Sequence, residues 1–306
     1  MALAYANLQP LLASYHASQN LVQALAPGAS PLLQLPYFTR QVIQAIEDKA
    51  GRRYSSVQNF MSVPDQQRRK LSVGTGLLTE ENYRAAVQVA SQLPVARVEE
   101  AFFKVIGERF LTPGSLIQFV VKVRIIPPGL ANVPEVNELD LEDVDAKEGD
   151  LDALHGRKKP KVKTADGKVV TETAEAVVQP PLAHAPYFPQ DHSPRWRVFL
   201  ADSKQGKVAV PPFTFSTFDK PLFNENGSPT CNVQTLKMQF QAPPQAGNYL
   251  FTMHLVCDSY IGMDSTKDVV MVIEEMSRAE EIEDDEEISE PEEGSSLYYF
   301  GECYVC

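Results

Sequence analysis

The chain has 306 residues, 43% of them hydrophobic, which is ordinary for a folded core, and a formal net charge of −12. Nearly all of that charge is local: residues 274–293 hold twelve acids against Arg278 alone, so the rest of the chain is close to neutral. Four cysteines at this length exclude a disulfide framework, and no apolar run approaches the roughly eighteen residues of a membrane helix.

The opening stretch MALAYANLQPLLASYH lacks the basic flank of a secretory signal, so the chain is expected neither to cross a membrane nor to carry its own export signal. From Leu8 the apolar positions Leu11, Leu12, Tyr15, Val22 and Leu25 approximate one helical stripe, stopped by Pro27-Gly28. PLLQLPYF then predicts an extended entry to a helix carrying Phe38, Val42 and Ile46. Ser62 is the expected cap of a helix over PDQQRRKL, and Thr79 that of TEENYRAAVQVASQ, with acids in its first turn where the dipole favours them. PVARVEEAFFKVIGERF, with Val95, Val98, Phe102, Val105 and Ile106 on one side, predicts a further helix.

From Ser115 the apolar period becomes two. Ile117, Phe119, Val121, Val123 and Ile125 point one way and Gln118, Lys122 and Arg124 the other, predicting a half-buried strand. An acidic block over 135–152 and a basic one over 155–163 interrupt the pattern, and the plain reading is local charge pairing in a disordered insertion. Strands resume at RWRVFLAD, GKVAV, FTFSTF, VQTLKMQFQA, GNYLFTMHLVCD and DVVMVIEE, seven with the first. The expected fold class is therefore α+β. A helical domain over 1–114 precedes a fibronectin type III-like β-sandwich over 115–273, with a charged insertion at 130–183 and a disordered acidic tail at 274–306. Tyr249, entering a strand after Gly247, suits a tyrosine corner. Cys231 and Cys257 lie in strand-like runs and read as reduced, buried thiols, which suits the cytosol.

Catalytic signatures are absent: no phosphate-loop, GxGxxG, GxSxG or HExxH pattern occurs, and the five histidines are scattered, His254 reading as a plain surface residue. No enzyme activity, cofactor, metal, nucleic acid or small-molecule substrate is expected. The CxxC ending at Cys306 lacks a second pair for zinc and fits a prenylation box poorly. KKPK at 158–161 follows nine acids and reads as charge pairing rather than an import or nucleic-acid patch, and Asn226-Gly227-Ser228 reads as a turn rather than a glycan acceptor. The apolar end SSLYYFGECYV reads as a loose terminus.

The acidic stretch SRAEEIEDDEEISEPEE repels itself and buries nothing apolar, so it is either a solubilising tail or one that meets a basic partner. Its candidate partner-binding residues are Glu280, Glu281, Glu283, Asp284, Asp285, Glu286, Glu287, Glu290, Glu292 and Glu293. Ser277 and Ser289, each with an acid three residues on, are candidate phosphorylation sites for acidophilic kinases.

A helical unit with PLLQLPYF, a sandwich holding RWRVFLAD and GNYLFTMHLVCDSYIGMD, and an acidic tail together resemble the cytosolic Brl region of the Sec sixty-three translocation proteins, of fungal type, from about residue 30 to 293. CDSYIGMD is the most specific piece: Gly262 permits a tight bend, while Tyr260 and Ile261 cap the open end of the sandwich, Tyr260 being a further candidate partner contact. The resemblance implies a non-enzymatic scaffold on the cytosolic face of the endoplasmic reticulum. In that family the fibronectin domain meets the Sec sixty-one channel, the acidic tail holds the basic N-terminal region of Sec sixty-two, and a lumenal Hsp-seventy chaperone is met only through a J domain that this sequence lacks. The chain thus reads as a fragment of such a protein. Two rival classes share features with it: the helical and fibronectin-like cassette of Ski-two-like RNA helicases, which the acidic balance opposes, and an acidic chaperone for basic proteins, which has no need of the sandwich.

Overall fold

The computed structural model describes residues 3–275, except 94, 107, 128, 129, 131, 132, 144–177 and 203. Its first third is helical: α1 (Leu8–Val22), a 3-10 turn (Pro31–Gln34), α2 (Arg40–Ala50), α3 (Val57–Met61), α4 (Asp65–Ser72) and α5 (Glu80–Gln92). Thr79 caps α5 as expected, its hydroxyl accepting from the Asn82 N–H at 3.2 Å. Thr39 and Ser56 cap α2 and α3 the same way. Ser62 does not cap α4; it ends α3, and Pro64 precedes α4 instead, a position that needs no N–H. Inside this unit the buried Arg68 guanidinium is satisfied by the Met61 and Val63 carbonyls, Asp65 and the Tyr83 hydroxyl, so the loop before α4 is pinned to α5.

The expected helix after Pro94 is a strand, β1 (Val95–Lys104). It pairs antiparallel with β2 (Leu116–Ile126), which pairs with β5 (Val233–Gln241), giving a three-stranded sheet. A second sheet runs β4-β3-β6-β7, from β3 (Trp196–Asp202), β4 (Lys207–Phe215), β6 (Gly247–Cys257) and β7 (Ser265–Ile273). The expected strands GKVAV and FTFSTF are one, β4, running through Pro211 and Pro212 at the sheet edge, where a missing N–H costs no ladder bond. At the start of β6 the Tyr249 hydroxyl donates to the Gln245 carbonyl at 2.9 Å, the contact of a tyrosine corner. The Asn226-Gly227 turn closes with the Gly227 N–H on the Asn224 carbonyl.

The sheets face each other across a core that includes Phe119, Val121, Val198, Leu200, Met238, Met253 and Met271, and the same apolar cluster continues without a gap into Leu32, Ile46, Val57, Phe60 and Leu93 of the helical unit. Helix α1 stands apart from that cluster. Its Leu8 and Leu11 cover Phe199, Ala201 and Val256 on the outer face of the four-stranded sheet. His254 belongs to that covered face: it is 9% exposed and stacked on Phe199 with ring centroids 4.9 Å apart, so the expected surface histidine is buried.

The outer face of the three-stranded sheet is covered as well. Gln118, Val120, Lys122 and Arg124 of β2 are all buried, where a half-buried strand was expected. The cover is the chain's own segment 133–143, with the one-turn helix α6 (Glu138–Leu141), which starts the acidic block and pairs with the sheet's cations. KKPK, the terminal cysteines and the aromatic end lie outside the described residues.

Candidate functional site

The most specific motif, CDSYIGMD, becomes the loop from β6 to β7 and the place where the helical unit grips the sheets. Three glutamine side chains hold its backbone. Gln19, on the apolar stripe of α1, donates to the Cys257 carbonyl and to Asp264 Oδ1, both at 2.8 Å. Gln23 donates to the Ser259 carbonyl at 2.7 Å and to His184 at 3.1 Å. Gln34 pairs with Ile261 as a second strand would, its Nε2 donating to the Ile261 carbonyl at 3.0 Å and its Oε1 accepting the Ile261 N–H at 2.8 Å. All three amides are buried, so they replace water for backbone groups that the turn leaves without sheet partners.

Carboxylates complete the loop. Asp258 Oδ1 accepts from the Arg195 N–H and the Ser259 hydroxyl and lies 3.3 Å from His192 Nε2, tying the loop to the entry of β3. Burial raises the Asp264 pKa above the usual carboxylate value, against the opposing help of Gln19 and His16. Burial also pushes the Cys257 thiol up to about 12. Such a thiol supplies almost no thiolate near neutral pH, and what the glutamine amides hold here is backbone. Among the described residues no group of three or more His, Cys, Asp or Glu is placed to hold a metal ion.

Tyr260 is 2% exposed, and its hydroxyl accepts the His184 N–H at 3.0 Å. Tyr260 lines a small apolar cleft beside Leu93, Trp196, Phe218 and Leu222. The residue therefore sits inside the bend, with little of its ring open to touch. The tail candidates Glu280 to Glu293, with Ser277 and Ser289, lie outside the described residues. Their root is placed: the Glu274 N–H donates to the Leu111 carbonyl at 2.8 Å, just past β7. The sequence reading missed the glutamines. The available signal was Gln19, four residues after Tyr15 and three before Val22, a polar side chain on a stripe that is otherwise apolar.

No family model matches the chain. It is 27% identical over 281 residues to translocation protein Sec sixty-three of Schizosaccharomyces pombe, covering 91% of this chain and 41% of that protein. The mouse and human Sec sixty-three homologs match at 25% identity over 108 residues, 35% of this chain and 12% of theirs. Among solved structures, a CARDB domain from Pyrococcus furiosus overlaps 60% of this chain and 97% of its own at 13% identity with a TM-score of 0.23, too low to bear on the fold. The chain thus spans less than half the length of these relatives, and its likeness to a fungal Sec sixty-three runs through the helical unit and both sheets alike.

Proposed function

We propose that the chain is a non-enzymatic scaffold of the post-translational protein-translocation machinery of the endoplasmic reticulum, on the cytosolic face of the membrane. It would dock on the Sec sixty-one channel through its sandwich and on the basic N-terminal region of Sec sixty-two through its acidic tail. The observation that carries this reading is the likeness to a translocation protein along 91% of the chain. Two features support it. The order β1-β2-β5 against β4-β3-β6-β7, with the Tyr249 corner contact, fits a fibronectin type III domain. The helices and sheets share one core, as a rigid dock requires.

The tail residues Glu280 to Glu293 would act as a polyanion meeting a polycation, a contact that weakens as salt shortens the Debye length from about 30 Å at 0.01 M to about 3 Å at 1 M. Phosphates on Ser277 and Ser289 would add roughly −1.5 to −2 each and tighten it. The test is binding of a basic Sec sixty-two peptide, an RNA oligonucleotide and a histone mixture to the whole chain and to one ending at residue 275, at low and high salt. Tail-dependent, salt-sensitive capture of the Sec sixty-two peptide supports the reading. Equal capture by the shortened chain in dilute buffer, or preference for RNA, overturns it.

A further inference from the structure

The outer face of the three-stranded sheet gathers cations that a solvent-facing sheet would normally spread out. Lys104 on β1, Lys122 and Arg124 on β2, and Lys237 on β5 project from it, with Lys220 at its margin. Residues 133–143 lie across them and present oxygen after oxygen. Asp143 sits 2.6 Å from Lys104 Nζ and 2.7 Å from Lys237 Nζ, and its own carbonyl accepts from Lys104 at 3.0 Å. Lys122 Nζ donates to the Glu142 carbonyl at 3.0 Å, Arg124 to the Pro134 carbonyl at 2.6 Å, and Lys220 to Asp140 at 2.9 Å.

This strap is held chiefly by charge and by carbonyls, with its Val136 and Leu141 only half-buried. Helix α6 has no buried residue, and its Leu139 is 72% exposed. A segment held that way can be replaced by another carrying the same oxygens, since what the face recognises is an extended acidic peptide and not a particular side-chain shape. The chain contains a second such peptide. Its tail leaves the fold beside β1, the outermost strand of this sheet: Lys267 of β7 donates to the Glu99 carbonyl, and the Glu274 N–H donates to that of Leu111. Eleven residues beyond Glu275, the chain can reach up to roughly 35 Å, and a tethered segment of this length competes at an effective concentration of about millimolar.

We propose that the outer face of the three-stranded sheet is a binding site for an acidic peptide, filled here by residues 133–143, and that its alternative occupant is the chain's own tail, residues 277–293. The strap, by satisfying the cations nearest the tail's root, keeps the tail from folding back and leaves it free to capture a basic partner. This last consequence rests on the tail reading above; the site itself does not.

The experiment uses the full chain and a carbodiimide, which activates a carboxylate so that a touching lysine amine displaces the activating group and forms an amide. In the unaltered chain the adducts join Lys104 and Lys237 to Asp143 and Lys220 to Asp140. In Asp140→Asn/Asp143→Asn the same lysines join residues 277–293 at about 0.01 M salt, and those adducts fade at about 1 M. Affinity for a polylysine peptide falls by roughly tenfold in the double variant, since the tail is then engaged in cis. Adding Lys104→Gln and Lys237→Gln restores it. If the double variant melts early, Asp140→Asn alone serves, because that ion pair is 44% exposed on Asp140 and 40% on Lys220 and supports no core; the Lys220 adduct must then pass to the tail. Lysines that gain no tail adduct in either variant overturn the proposal. Failure of the unaltered chain to bind polylysine overturns the tail reading instead, while the adduct pattern still decides the site.

Discussion

Gly262 shows how one residue couples two parts of the molecule. Its φ is +79°, and a Cβ there would meet the Ser55 carbonyl at 3.0 Å and the Ser56 Cβ at 3.3 Å, so the turn needs both the left-handed backbone and the missing side chain. Gly262→Ala is expected to cost about 2 kcal/mol, with the denaturant midpoint falling at an unchanged slope. Gln34 poses the complementary case, because its amide alone answers both backbone groups of Ile261. Gln34→Leu keeps the bulk and removes both partners, so a loss of about 2 kcal/mol is expected from unsatisfied buried groups. A chemical-denaturation series over the two variants checks both values; a Gln34→Leu protein as stable as the parent would show that water enters the loop and replaces the amide.

At the scale of elements, the face of the sheet that α1 covers carries a buried group that answers to acid. The helix covers Phe199 and Val256, and His254 stacks on the same Phe199. Burial lowers the His254 pKa below the usual imidazole value of 6.5, so the fold holds the ring neutral. The unfolded chain therefore binds more protons as pH falls below that value: the stability is complete above it and is lost as pH drops through the folded pKa. Urea midpoints at pH 7.5 and 5.5 should separate in the parent and converge in part in His254→Phe, with the remaining difference coming in part from His184, whose pKa burial also lowers. An unchanged separation would place the titration elsewhere. Elements were also where the sequence reading succeeded and failed. The stripes of α1 and α2 and the Thr79 cap of α5 were legible because helical period and capping chemistry are local. β1 was not, because a bulge between Val98 and Glu100 shifts its register. Its inward residues are Ala96 and Val98 and then Ala101 and Phe103, so the expected stripe of Val95, Val98, Phe102 and Val105 drew residues from both faces of the strand. Of the candidate site, the loop CDSYIGMD was legible as a bend, whereas the three glutamines were not, since their partners lie from 161 to 245 residues away in sequence.

At the scale of the whole molecule, the shared core predicts how the protein unfolds. One apolar cluster runs from Leu32 and Ile46 through Leu93 to Val121, Leu200 and Met271, and the glutamine clamp adds directional contacts across the same junction. Separate modules joined by a linker would melt independently; a helical unit whose apolar face is completed by the sheets cannot lose them and stay folded. The chain offers two probes that report on the two parts separately. Its single tryptophan, Trp196, is buried in β3, while helical ellipticity comes chiefly from residues 8–92. Heating should therefore give coincident midpoints by tryptophan emission and by helical circular dichroism, with a calorimetric enthalpy equal to the van't Hoff value. The clamp supplies the control: Gln19→Ala with Gln34→Ala weakens the junction without touching the core of either part, and should lower both midpoints or split them. Two separated transitions in the unaltered chain would mean that the helices and sheets are independent domains, and a dock built from both would then lose its rigid geometry.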